Sequence, residues 1–241
     1  MAGEGRVRGN TGRFSQFGHG GRSGAISLFS LGPHASILYK GGLHLKQPPR
    51  KTAKKPAPGL KKVIDTLKKK GASEVRVIKA SDVIVDERVR LKCQVPVCDS
   101  YGKNLMCPPY LPSVMDFRDA LARYDKALLV QLSVPLHRKA KGRTKEVFDP
   151  ARVLHELINL GERLCFEAGF RFATGLIGGC CRLCETCIVL EPEGHCRHPF
   201  RARPSMEAMG IDVIGTLENA GLPLLRFPVQ EKVTWTGLIL L

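Results

Sequence analysis

The sequence lacks any run of about twenty apolar residues, which excludes a helical membrane span, and it has no apolar secretory core near its start. A nucleotide-binding glycine loop is missing as well. Gly175-Leu176-Ile177-Gly178-Gly179 lacks the G-x-G-x-x-G order and runs straight into cysteines, and no G-x-S-x-G elbow marks a hydrolase. There is no internal repeat. Acidic residues are nearly absent from residues 1–58, where ten Lys or Arg meet a single acid.

That last deficit concentrates most of the formal charge of +16 in the first segment. The remainder holds 28 bases against 21 acids, and metal-bound thiolates would lower its balance further. The folded part is thus only mildly basic, which argues against nucleic acid as a partner. Residues 1–58 are rich in Gly, Ser and Pro and read as a disordered basic tail. Its Arg-rich opening has some character of a transit peptide, but the plainer reading is an unstructured extension or a wrongly chosen upstream start codon.

Residues 59–241 read as one cysteine-rich domain. Leu60, Val63, Ile64 and Leu67 recur at helical spacing before Gly71, and Glu74 to Lys79 alternates as a half-buried strand. Asp82 to Lys92 suggests a strand and then a helix. Pro112-Ser113 opens another helix, Lys126 to Leu132 is a buried strand, and Pro135 to Arg143 a basic loop. Asp149-Pro150 starts the longest helix, ending at Gly169, and Phe170 to Ile177 is a strand. A helix is expected from Met206 to about Ala220, then strands at Leu224 to Phe227 and Val233 to Leu240. The expected fold class is α/β or α+β: a layered mixed sheet with flanking helices and two cysteine-rich metal-binding loops.

Nine cysteines are too few for a disulfide scaffold of this length, and they are bunched. Cys93, Cys98 and Cys107 form one group, Cys180, Cys181, Cys184, Cys187 and Cys196 a second, and Cys165 stands alone. An odd total suits a reducing compartment, so a soluble, cytoplasmic protein is expected. Cys181, Cys184 and Cys187 make a C-x2-C-x2-C run with Cys196 as a closing ligand. In ferredoxins of the bacterial type this spacing wraps a loop around a 4Fe-4S cluster. Zinc sites more often pair two C-x2-C knuckles, because three thiolates at this spacing crowd one side of a small ion.

Cys93, Cys98 and Cys107 supply three thiolates in a loop kept irregular by proline and glycine, which frees amide N–H groups for cluster sulfurs. A fourth ligand there is open, with Cys180 and Cys165 available. Cys165, on the apolar stripe of the long helix, reads as a core residue. His195, Arg197, His198, Arg201 and Arg203 form a basic cluster that offsets thiolate charge or is simply solvated.

Asp86 to Cys93, Tyr101 to Tyr110 and Cys196-Arg197-His198-Pro199, continuing from Ala202 to Asp212, resemble the prokaryotic DUF2284 family of predicted metal-binding proteins over roughly residues 60–241. The resemblance implies metal binding without a known reaction. Carried over residue by residue, it implies Cys93, Cys98, Cys107, Cys181, Cys184, Cys187 and Cys196 as metal ligands, with Cys180 an addition to the pattern. The leading expectation is one iron-sulfur cluster, or two, in an electron-transfer or redox accessory protein that works with a redox partner protein. The alternatives are a zinc-stabilised structural or interaction module, and an iron-sulfur enzyme with an open iron at the Cys93, Cys98 and Cys107 group. Catalytic residues are not identified.

Overall fold

A computed structural model describes residues 58–136, 144–191, 194–223 and 231–241. The expected tail at 1–58 and the expected strand at 224–227 lie essentially outside the described residues. Four strands, β1 (Glu74–Lys79), β2 (Lys126–Pro135), β3 (Thr174–Leu176) and β4 (Lys232–Leu240), form a sheet in the order β1-β2-β4-β3. Every ladder is antiparallel, with Leu129 opposite both Arg76 and Leu238. The layered α/β architecture is as expected, but the mixed sheet is not: among the described residues the parallel contact is the isolated bridge between Ile177 and Ser205.

The continuous apolar run of β2 reflects burial on both faces, because successive side chains point to opposite sides. Leu128, Val130 and Leu132 pack with α1 (Pro58–Lys69) and α4 (Thr144–Glu167) through Leu60, Val63, Leu67, Leu154, Leu157 and Ile158. Ala127 and Leu129 face the other way, toward Phe117 and Leu121 of α3 (Val114–Leu121) and Leu217 of α5 (Val213–Asn219). Burying each of the three α1 anchors is worth roughly 1.5–3 kcal/mol. Ser113 caps α3 with a capping box to Asp116.

Four expectations shift. The strand expected over Phe170 to Ile177 is only Thr174–Leu176, because the chain turns after α4 with Ala173 N–H donating to Phe170 O at 2.9 Å. The stretch from Asp82 to Lys92 holds no strand, only a bridge from Val85 to Ile211 and the short α2 (Glu87–Leu91) capped by Asp86. The long helix starts at Thr144, with Pro150 inside it, rather than at the Asp149-Pro150 signal. The helix expected from Met206 to Ala220 is broken: a single 3-10 turn (Glu207–Met209) ends at Gly210, whose φ is +84°, and Asp212 caps α5 afresh. A Cβ at Gly210 would lie 2.8 Å from Val114, so both the left-handed backbone and the close approach call for glycine there.

Candidate metal centre

The segment from Pro204 to Ile211 is the spine on which both cysteine loops are built. On one side Ile177 N–H donates to Pro204 O at 2.9 Å and Met206 N–H donates to Ile177 O at 2.8 Å, fixing the end of β3. On the other, Asp86 N–H donates to Gly210 O at 2.8 Å and Asp212 N–H to Ile84 O at 2.9 Å, which seats α2. Cys93 follows α2 directly. Arg90 closes the first loop by donating to the carbonyls of Leu111 and Pro112 at its far end.

Within that loop, turns at Cys98, Tyr101 and Cys107 and the Gly102 N–H to Pro108 O bond of 2.9 Å keep the backbone irregular, as its Pro and Gly content suggests. Cys107 is buried, Cys93 is half-buried and Cys98 is exposed. Burial pushes the Cys107 thiol up to about 12, with Cys180, Cys98, Cys93 and Cys181 adding to it in that order. Burial also raises Cys93, helped by Cys98 and the Glu207 carboxylate and opposed by Arg90. Thiols this close and this dry ionise together only when a cation offsets them.

The second loop leaves β3 through Gly178-Gly179. Gly178 passes so close to β4 that a Cβ would stand 2.7 Å from Thr236 O, and Gly179 has a φ of +70°. In this loop Cys187 Sγ accepts from Leu105 N–H at 3.5 Å and Cys196 Sγ accepts from His198 N–H at 3.4 Å, while the Leu183 amide acts on Cys181 and Arg197 lies under the influence of Cys184. Burial raises Cys181, as do Cys196, Cys184 and Cys187, while its Leu183 bond works the other way. Cys184 is the largest influence holding the proton on Arg197, which donates to Thr186 O and Glu191.

The two loops are neighbours. Asn104 Nδ2 donates to Cys181 O at 2.9 Å, and the Leu105 amide comes from the first loop. Of the basic cluster, only Arg197 and the His198 amide act on thiols. Arg203 instead pairs with Glu162 of α4 at 2.6 Å, Arg201 pairs with Glu156, and His195 is exposed. Cys165 is fully buried in the core beneath α4, as expected.

The donor chemistry suits a soft metal or an iron-sulfur group: seven expected thiols in two adjoining sets, with amide and guanidinium donors on one of them. Two buried polar atoms without a hydrogen-bond partner among the described residues, Arg182 Nε and Glu207 Oε2, belong to residues flanking these thiols. Among the described residues no three His, Cys, Asp or Glu side chains close around a single ion, so the thiols are neighbours rather than converged on one point. Arg197, Asn104, Glu207 and the Leu105 amide were not legible as individual contacts, because nothing in local spacing announces a partner 13 to 114 residues away.

A layered α/β domain bearing paired cysteine loops is the class that these features define. The chain belongs to the DUF2284 family, described as predicted metal-binding proteins, which matches residues 76–241. No curated protein and no solved structure matches it. Among the described residues no helix is long and apolar enough to cross a membrane.

Proposed function

We propose that this metal-binding protein is an iron-sulfur protein of the 4Fe-4S type that carries electrons or serves as a redox accessory subunit. The observation that carries the reading is the C-x2-C-x2-C loop with Cys196, in which Cys187 and Cys196 each accept a backbone N–H and Arg197 braces the loop through Thr186 O and Glu191. Such donors lower the cost of added negative charge on a bound group. A bound cluster would supply one-electron transfer.

The chain's own residues then have separate tasks. Cys181, Cys184, Cys187 and Cys196 hold the group, Leu105 and His198 orient two of the sulfurs through their amides, and Arg197 sets a positive charge beside Cys184 while bracing the loop through Thr186 and Glu191. Leu91, Val95, Val97 and Tyr110 expose apolar side chains around the first group, which suits transient contact with a redox partner protein.

Reduction and reoxidation of anaerobically purified protein test the proposal. A visible absorption band that bleaches with dithionite and returns on mild oxidation is the expected result. A protein whose spectrum ignores dithionite while its bound metal is zinc removes the electron-transfer reading and leaves a zinc-stabilised module, since zinc has no accessible redox change.

A further inference from the structure

The C-x2-C-x2-C run has an arginine inside it as well as one on its return. Arg197 braces the return through Thr186 O and Glu191. Arg182, between Cys181 and Cys184, is half-buried, and its Nε is buried with no acceptor among the described residues. Its guanidinium carbon lies 4.1 Å from the centre of the Phe148 ring, on α4. We infer that Arg182 is a positioning residue: stacked on Phe148, it clamps the link between Cys181 and Cys184 to α4 and holds the second loop in the shape that accepts a metal group. The inference rests on the metal-binding reading of that loop and deepens it.

The clamp has a fixed base. Trp235, the single tryptophan of the chain, stands on β4. Its Nε1–H donates to Val147 O at 2.8 Å, and its ring meets the Phe148 ring with centroids 5.9 Å apart and planes tilted by 43°. Phe148 is thereby tied to the sheet. The outgoing leg of the loop crosses the same indole: a Cβ on Gly178 would stand 3.1 Å from Trp235 Cε3, and one on Gly179 3.0 Å from Cζ3. The loop thus meets the Trp235–Phe148 unit on either side of Cys180 and Cys181, at the glycines before them and at Arg182 after them.

A cation over a ring face is attracted by the ring's quadrupole, and more strongly where water is partly excluded. Restraint present before loading lowers the ordering cost of binding. Asn104 also reaches this link by donating to Cys181 O, but it comes from the other cysteine loop, whereas Phe148 ties the run to the helix layer. A second pair of the same kind supplies a control. Arg171 lies 4.4 Å over Phe172, its neighbour in the chain, and Phe172 is 66% exposed, so that pair joins no two elements.

The test is site-resolved alkylation. Anaerobically loaded protein is exposed to EDTA and iodoacetamide, and labelling of each cysteine is followed by mass spectrometry. Cys184 and Cys187 should be labelled roughly two- to thirtyfold faster in Arg182→Gln and in Phe148→Leu, the range one cation–π contact spans. Phe148→Tyr, which keeps the ring, and the control Arg171→Gln should keep the wild-type rate. Combining Arg182→Gln with Phe148→Leu should be no faster than the faster single variant, because the two residues act as one contact. Cys165, buried in the core, reports general opening and should keep its wild-type rate throughout.

A wild-type rate in Arg182→Gln overturns the inference, as do effects that multiply in the double variant or a rise at Cys165 in step with Cys184. Arg182→Gln and Phe148→Tyr leave the core untouched, so the answer does not hang on Phe148→Leu folding. If the wild type holds zinc and ignores dithionite, the electron-transfer reading fails. The labelling rates then still decide the clamp, since they do not depend on which metal is bound.

Discussion

In the second cysteine loop Cys187 and Cys196 accept backbone N–H donors, whereas in the first Cys93 and Cys107 are governed by burial and by neighbouring thiols, with Arg90 working against the rise at Cys93 and Glu207 adding less to it. Donors and positive charge favour an added electron; burial without donors and a nearby carboxylate oppose it. Under the proposed reading, clusters held by the two loops would differ in potential, the second being the easier to reduce. The loops are also anchored differently. The first hangs from the five-residue α2, while the return of the second is fastened to the 24-residue α4.

The largest effect expected from breaking this comparison is loss of a ligand. Cys184→Ser should remove about one cluster, about four iron, from the second site while leaving the first occupied, as read by iron analysis of the folded variant. Retention of all the metal would take Cys184 out of the site.

Next comes the anchor on α4. Glu162 accepts from Arg203 through both oxygens, at 2.6 and 2.9 Å, and from Gly175 N–H at 2.9 Å, with most of both charged side chains covered. Glu162→Ala strands a largely buried guanidinium and should cost about 2–3 kcal/mol in urea unfolding. A smaller change, in potential alone, is expected for Arg197→Gln, which should make the second site harder to reduce in an EPR-monitored redox titration and leave the first unchanged. An equal shift at both sites would show that Arg197 acts at long range and not through Cys184.

The anchors also separate in pH. His155, 2% exposed, donates from Nε2 to Arg201 O at 2.8 Å, so that nitrogen carries the proton, and burial holds the ring's pKa below the ordinary 6.5. A depressed histidine lets the unfolded chain take up a proton first. Its contribution is complete above about 6.5 and is lost as pH falls through the lower folded value. Asp86, the α2 cap, is held at about 2, chiefly by its side-chain bond with Arg88, so its contribution is complete above 3.8 and is lost only as pH falls toward about 2. Hydrogen exchange from pH 7 to 5 should therefore loosen residues around Arg201 before those around Asp86.

Much of this was visible in the sequence where information is local. The period of Leu60, Val63 and Leu67, the alternation in β1 and the apolar run of β2 report burial directly, and Ser113 capped the helix it was expected to cap. The early start of α4 was hidden because Asp149-Pro150 looks like a first turn even when the helix runs through it. The break at Gly210 was hidden because glycine is tolerated within helices, and only the approach of Val114 shows why this one ends a turn. At the metal loops spacing named the cysteines, but what brings the loops together, Asn104 to Cys181 O and Leu105 N–H to Cys187 Sγ, joins residues far apart in the chain that no motif records.

The measurement that tests the account most directly is iron, zinc and acid-labile sulfide analysis, with a visible spectrum, on one anaerobic preparation. Iron and sulfide in equal amounts, about four of each per cluster, with a broad band near about 400 nm, is the result the account predicts. A colourless protein carrying stoichiometric zinc and no sulfide would contradict it.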